Sequence, residues 1–147
     1  MLDTTQPFQL LTPASIHLGN GTLQQLSPHS RQLPTPIAVL TGPAHPRHAP
    51  LWEQLDSHPS DHLIPLEIQG EPSDQTLAQL TTQAREQQCQ SVIAYGGGSV
   101  LDAGKALAAL LTNSSPLTTY LEIIGDAQPL THTPAPMIAI PTTAGTG

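Results

Sequence analysis

Positively charged residues are scarce in this sequence of 147 residues, which contains four lysines and arginines against eleven aspartates and glutamates. The formal net charge is -7 at pH 7. Nucleic-acid-binding domains cluster basic side chains that neutralise phosphates, and this chain has too few of them to form such a surface. We therefore predict that it has no nucleic-acid partner.

Cysteine is rare in the chain, and long apolar runs are absent from it. The chain has one cysteine, Cys89, so it cannot form an internal disulfide and suits a reducing compartment. Its longest apolar stretches, such as residues 106–111, fall far below the roughly 20 residues that cross a bilayer. Residues 1–7 contain no basic segment followed by an apolar run, which is the pattern of a secretory signal. We expect a cytoplasmic protein with no membrane partner.

Short apolar segments that suit β-strands alternate with segments of helical character. The strand candidates are residues 15–18, 37–41, 63–68, 91–95 and 137–140. Such alternation is typical of a parallel sheet covered by helices, because parallel strands need long crossover connections. The sequence thus predicts an α/β fold, with a Rossmann-like parallel sheet flanked by helices, in one domain over residues 1–147. The continuous apolar character of 91–95 and 137–140 favours central positions for both strands.

The clearest helix candidate spans residues 73–88. Leucine and alanine residues recur there at helical spacing, and Ser73 is placed to cap the helix N-terminus. A second helix is predicted over 100–111, with weaker helical patterns over 50–55 and 117–123. Ligands of open parallel sheets bind beyond the carboxyl ends of the strands, where the motifs described below are found.

Three consecutive glycines, Gly96, Gly97 and Gly98, join the strand 91–95 to the helix predicted to begin near Val100. Backbone N–H groups without side chains, together with a helix N-terminus, favour a bound phosphate or pyrophosphate. The segment matches neither the G-x-G-x-x-G fingerprint nor a Walker loop, which weakens a nucleoside-triphosphate hypothesis. The alternative is a tight strand-to-helix turn that holds no ligand.

Two polar features of the same helix are open to more than one interpretation. Ser99 and Asp102 have the spacing of a capping box at the helix N-terminus. Lys105 either reaches toward a ligand or pairs with Asp102 on the helix surface, and spacing alone does not decide between them.

Two longer segments carry a resemblance to a known family. Residues 96–105 resemble the Gly-Gly-Gly-Ser-x-x-Asp-x-Ala-Lys signature of the iron-containing (metal-dependent, group III) alcohol dehydrogenases, and residues 141–147 match the second signature of that family. The resemblance covers essentially the whole chain and implies an N-terminal dinucleotide-binding domain with a dehydroquinate synthase-like fold. It extends upstream to the opening strand and turn of the family, at Phe8, Pro13, Ile16, Gly19 and Gly21.

By this resemblance the chain binds a nicotinamide dinucleotide, NAD or NADP. Gly96, Gly97, Gly98 and Ser99 would contact the pyrophosphate of the cofactor. Asp102 would lie near the nicotinamide riboside.

The second signature is implied to line the same cofactor. Thr142, Thr143 and Thr146 would lie along it at the end of the last strand, whereas their local sequence alone favours a polar turn. Residues 71–73 would form a short loop beside the adenosine.

The sequence departs from the family pattern at two glycines. After the strand that ends at Thr41 here, the family commonly has an aspartate, whose carboxylate binds the adenosine ribose hydroxyls and repels a 2′-phosphate, but this chain has Gly42 there. His45, Arg47 and His48 follow and could supply donors or positive charge for a 2′-phosphate, so we predict that NADP is accepted or preferred. Gly104 replaces the usual alanine and is expected to allow close packing of its helix against the sheet.

The resemblance also implies what this chain does not contain. The chain ends within the second signature, so the helical domain that holds the metal ligands and most of the substrate pocket is expected to be absent. A divalent metal, iron or zinc, is expected only in the complete enzyme. The histidine pairs His45/His48 and His58/His62 are each interrupted by proline, which argues against a helical metal motif. No metal ligand and no catalytic residue is assigned.

In its complete form the protein is expected to be an NAD(P)-dependent alcohol dehydrogenase, which transfers hydride between a small alcohol or aldehyde and nicotinamide. The chain alone is expected to bind cofactor without completing catalysis. Two alternatives stay open: a stand-alone, non-catalytic dinucleotide-binding module, and a related polyol or sugar-phosphate enzyme of the same fold. The resemblance implies a homodimer, and a surface exposed by the missing domain would promote further self-association.

Overall fold

A four-stranded parallel β-sheet forms the centre of the fold in the computed structural model, which describes residues 15–144. The strands are β1 (Ile37–Thr41), β2 (Leu63–Glu67), β3 (Ser91–Gly96) and β4 (Met137–Pro141). Their order across the sheet is β2-β1-β3-β4, and every neighbouring pair is parallel. The predicted α/β class with a parallel sheet is confirmed.

Within residues 15–144, four α-helices connect and cover the strands. They are α1 (Leu26–Ser30), α2 (Ala49–Leu55), α3 (Asp74–Glu86) and α4 (Gly98–Thr112). The predicted cap of α3 is confirmed, since the Ser73 hydroxyl accepts a hydrogen bond of 3.2 Å from the backbone N–H of Thr76. None of the helices in this part of the chain is both long and apolar enough to cross a membrane.

Helices cover both faces of the sheet, because alternate side chains of each strand point to opposite faces. On one face, α3 and α4 pack against Leu40 and Val92, and on the other, α1 and α2 pack against Val39 and Ile93. All four side chains are fully buried. Burial of each such side chain contributes about 1.5–3 kcal/mol, so β1 and β3 form the stable interior of the sheet.

The strand predicted at residues 15–18 is wrong. Ile16 and Leu18 are 68% and 89% exposed, and the described structure assigns no strand there. A strand must pair its backbone N–H and C=O groups with a neighbour, and none of the four described strands pairs with this segment.

Two further predictions are corrected by the structure. β4 lies at an edge of the described sheet and its side chains are exposed or half-buried, whereas residues 137–140 were predicted to be central. The helix predicted over 117–123 is a single 3-10 turn, Leu117–Thr119, because the following Ile123 and Ile124 are exposed and supply no buried face. The sequence pattern also did not predict the helical segment 22–30. Proline usually breaks a helix, but Pro28 lies in the first turn of α1, where proline is tolerated.

Candidate functional site

The order of the strands reverses between β1 and β3, and in open α/β sheets such a reversal leaves a crevice beyond the strand ends. From β1 the chain proceeds to β2 on one side, and β3 then pairs with the other side of β1. Ligands of open α/β sheets bind at such a reversal of strand order, beyond the carboxyl ends of the strands. Thr41 lies opposite Tyr95 in the ladder, so Gly42 and Gly96 are the next residues on either side of the crevice.

The glycine-rich turn between β3 and α4 is very short. β3 ends at Gly96 and α4 begins at Gly98, two residues before the predicted start at Val100. An added Cβ at Gly96 would lie 2.5 Å from Cγ2 of Val100, which is closer than real contacts allow. Glycine is therefore required at 96 because the first turn of α4 approaches the end of β3 closely.

The other two glycines leave the start of α4 open. An added Cβ at Gly98 would meet no heavy atom within 4 Å, and one at Gly97 would make ordinary contact with Oγ1 of Thr143 at 3.6 Å. No side chain caps the helix at Gly97. The backbone N–H groups of the first turn thus lack intrahelical acceptors and a side-chain cap, an arrangement that suits an anion.

Ser99 lies inside the first turn of α4, and its hydroxyl donates a hydrogen bond of 2.8 Å to Oε1 of Glu71. The capping-box interpretation of Ser99 and Asp102 is wrong, since the helix begins one residue before Ser99 and the cap position belongs to Gly97. Glu71 is a site residue whose contact the sequence did not predict. It is 28 positions from Ser99, and no spacing rule links the two.

Asp102 lies one turn further along α4 and pairs with Lys105. Nζ of Lys105 is 3.1 Å from Oδ1 of Asp102. The structure therefore favours a local pair over a lysine that reaches across the crevice. Both side chains are largely exposed, so the pair contributes little to stability.

The second signature lies beside the glycine turn. The backbone N–H of Thr142 donates a hydrogen bond of 2.9 Å to the carbonyl of Gly96, which extends the pairing of β3 and β4 by one residue. The side chain of Thr143 faces Gly97, as the contact above shows. Thr142 and Thr143 are exposed, whereas Thr146 lies outside the described residues.

The loop after β1 is attached to the end of β3. The hydroxyl of Tyr95 donates to the backbone carbonyl of Arg47 at 3.2 Å, and the ring of His48 packs edge-on against that of Tyr95 with 5.9 Å between centroids. Both the backbone N–H and Nε of Arg47 donate to Nδ1 of His45, at 3.0 and 3.2 Å. An added Cβ at Gly42 would lie 4.0 Å from Cγ2 of Val100, so the start of this loop and the start of α4 are neighbours.

Helix α4 packs tightly on the sheet at Gly104, as predicted. An added Cβ there would lie 2.6 Å from Cβ of Ala94 and 2.8 Å from Cε of Met137. Close approach of α4 fixes the position of its N-terminus relative to β3 and β4. Among residues 15–144, no three histidine, cysteine, aspartate or glutamate side chains come together in a way that could hold a metal ion.

Comparison with known proteins gives a family match over nearly the whole chain. The family model described as iron-containing alcohol dehydrogenase matches residues 13–147. A curated relative, 4-hydroxybutyrate dehydrogenase of Cupriavidus necator, is 41% identical over 81 residues, which are 55% of this chain and 21% of that protein.

Solved structures share the fold. The NADH-dependent butanol dehydrogenase A of Thermotoga maritima superposes with a TM-score of 0.76 at 17% identity, over 96% of this chain and 36% of that one. The sulfoacetaldehyde reductase of Bifidobacterium kashiwanohense, in complex with NAD+, superposes with a TM-score of 0.72 at 20% identity, over 96% of this chain and 37% of that one. This chain therefore spans little more than a third of the length of these two proteins.

Proposed function

Because the chain belongs to the iron-containing alcohol dehydrogenase family, we propose that it forms the part of such an enzyme that binds a nicotinamide dinucleotide, NAD or NADP. The whole enzyme would transfer hydride between a small alcohol or aldehyde and the nicotinamide. One observation carries the cofactor proposal: the uncapped N-terminus of α4 opens at the strand-order reversal, with no side chain at Gly98 to obstruct it.

Residues on three segments would hold the cofactor. The N–H groups of the turn Gly96–Gly97–Gly98 would donate to the pyrophosphate, and the Ser99 hydroxyl would exchange its bond with Glu71 for one to a phosphate oxygen. The remaining contacts that we propose are those of Asp102 near the nicotinamide riboside, of Gly42 at the adenosine ribose, and of Thr142, Thr143 and Thr146 along the end of β4.

Bound NAD(P) would supply the hydride acceptor or donor, and this chain would orient it. The metal ligands of the whole enzyme, for iron or zinc, are proposed to lie outside residues 15–144, which bring together no suitable set. We assign no catalytic residue, and the isolated chain is expected to bind cofactor without turnover.

The variant Gly97→Val tests the proposal. Valine at this position would project toward the space that the pyrophosphate needs, while an added Cβ makes only ordinary contact with Thr143 and φ is -78°. We expect the full chain to bind NADH or NADPH in calorimetric titrations and the variant to bind neither, with an unchanged unfolding transition. Gln83→Ala, at an exposed position of α3, is the matched control and should bind as the wild type does.

Two outcomes would contradict the proposal. A wild-type chain that binds neither coenzyme would remove the cofactor assignment. Normal binding by Gly97→Val would show that the pyrophosphate does not lie against this turn.

A further inference from the structure

We propose that the carboxylate of Glu71 competes with the pyrophosphate of the coenzyme at the start of α4 and so lowers the affinity of the chain for NADH and NADPH alike. This inference rests on the proposed function, which puts the pyrophosphate at that turn. Glu71 is then an internal anion that the coenzyme must displace. A single side chain thus holds the ligand-free site in a self-inhibited state.

Glu71 contacts the one side chain in the first turn of α4 that can donate a hydrogen bond to a phosphate. Its Oε1 accepts a hydrogen bond of 2.8 Å from the hydroxyl of Ser99. Gly98 has no side chain and Val100 has no polar side-chain atom, so Ser99 supplies the only hydroxyl of this turn. A hydroxyl has one proton to donate, so Ser99 cannot bond to Glu71 and to a phosphate oxygen at the same time.

The fold brings Glu71 to this position from a different strand. β2 and β3 are parallel members of one sheet, so the helices that follow them, α3 and α4, begin at the same edge. The two helices share one hydrophobic core, and Glu71 directly precedes the segment Pro72–Ser73 that leads into α3. Its carboxylate therefore lies near the positive ends of two helix dipoles, where a negative charge is stabilised.

No cation neutralises Glu71 in the part of the chain that the structure describes. Among residues 15–144 the only ion pair joins Lys105 to Asp102. Two anions that approach the same hydroxyl lie well within the screening length of about 10 Å at 0.1 M salt, so they repel each other. The charge of Glu71 should therefore oppose a pyrophosphate beside Ser99.

Displacement of Glu71 requires only a rotation of its side chain. The backbone on both sides is fixed, because the N–H of Ile68 continues the pairing of β2 with β1 and Ser73 caps α3. Glu71 is exposed, so its carboxylate can bind water once it has left Ser99. The coenzyme can thus replace Glu71 without a change in the fold, and the lost contact appears as weaker binding.

The test compares the full chain of 147 residues with the variant Glu71→Gln in calorimetric titrations with NADH, NADPH and inorganic pyrophosphate. Glutamine has the same shape and keeps an oxygen that accepts from Ser99, so the variant removes only the charge. We expect the variant to bind all three ligands about two- to fivefold more tightly, which is the effect of one charge at a helix N-terminus. At about 1 M salt, where the screening length falls to about 3 Å, this difference should shrink.

Glu86→Gln is the matched control. Glu86 is the last residue of α3 and is exposed, so this variant removes the same charge at the opposite end of the helix from Glu71. It should leave all three affinities unchanged. Thermal unfolding without ligand gives a second readout, since Glu71→Gln should unfold at a lower temperature than the wild type although it binds the coenzymes more tightly.

Three results would be decisive against one or both proposals. If the coenzymes bind but Glu71→Gln binds them no more tightly than the wild type, the role of Glu71 is overturned and the proposed function stands. If only inorganic pyrophosphate binds, and binds Glu71→Gln more tightly, the proposed function fails and the competing carboxylate stands. If neither chain binds any of the three ligands, both are overturned.

Discussion

The three consecutive glycines differ in what surrounds each one. At Gly96 an added methyl group would collide with Val100, whereas at Gly98 it would meet nothing. The first glycine is therefore required for packing between strand and helix, and the last keeps the helix N-terminus accessible. A substitution at 96 would damage the fold and the site together, which is why Gly97 is the better probe of cofactor binding.

His58 gives the stability of the fold a dependence on pH. Its Nε2 lies 2.9 Å from Oγ of the fully buried Ser30. Burial lowers the pKa of His58 below its usual 6.5, and the positive charges of Arg31 and His62 lower the pKa further. Just below pH 6.5 the unfolded chain therefore binds more protons than the folded chain. The contribution of neutral His58 to the free energy of unfolding is thus present above pH 6.5 and is lost as the pH falls below it.

We predict that the free energy of unfolding decreases between about pH 7 and about pH 5, where histidines titrate, and that His58→Gln reduces this decrease. Denaturant titrations at several pH values measure the free energy of unfolding of both proteins. The variant His132→Gln, at an exposed position, should keep the wild-type slope. If the free energy of unfolding of His58→Gln changes with pH as steeply as that of the wild type, His58 is not the source of the pH dependence.

At the scale of elements, α4 contains two glycines with opposite requirements. Gly104→Ala should destabilise the chain by about 1–3 kcal/mol, because overpacking against Ala94 and Met137 outweighs the gain of about 1 kcal/mol in helix propensity. Gly98→Ala should leave stability unchanged or slightly raised, since its added methyl group meets no atom.

Thermal and denaturant unfolding of the two variants measure this difference. Adding Ala94→Gly to Gly104→Ala should restore part of the lost stability, because it removes the nearest obstructing atom. If Gly104→Ala alone is as stable as the wild type, the expected overpacking of α4 against Ala94 and Met137 is contradicted.

Most elements were predictable from the sequence because their signals are local. Helical spacing of leucines and the Ser73 cap predicted α3, and short apolar runs predicted all four described strands. The errors arise where burial depends on distant partners. Ile16 and Leu18 are apolar, but their segment pairs with none of the described strands, and residues 137–140 have the composition of a central strand but lie at an edge of the described sheet.

The candidate site was predictable only in part for the same reason. The sequence predicts Gly96, Gly97 and Gly98 as candidate phosphate-binding residues because they are contiguous and lie between a strand and a helix. The bonds from Ser99 to Glu71 and from Tyr95 to Arg47 join residues 28 and 48 positions apart, and only the strand order brings them together. Cofactor contacts of the predicted residues stay predictions, and Thr146 lies outside the described residues.

At the scale of the whole molecule, the edge position of β4 predicts self-association. Ile138 and Ile140 are half-buried, and within residues 15–144 the outer backbone edge of β4 pairs with no strand, so this edge offers a surface on which another chain could pair. We expect the apparent mass in sedimentation experiments to rise with concentration. Ala139→Lys, at an exposed position of this strand, should reduce the association, and Ala139→Ser should not. A monomer at all concentrations would contradict this expectation and the predicted homodimer.

The hydrogen bond from Thr142 to Gly96 also has a consequence for synthesis on the ribosome. β4 is the last strand of the described sheet to emerge, so the carbonyl of Gly96 lacks its partner while β1 and β3 can already pair. A nascent chain that stops before Thr142 would contain the glycine turn without Thr142 and Thr143, which lie beside it. Under the proposed function, coenzyme binding during translation would therefore require that the ribosome has already passed the codons of β4.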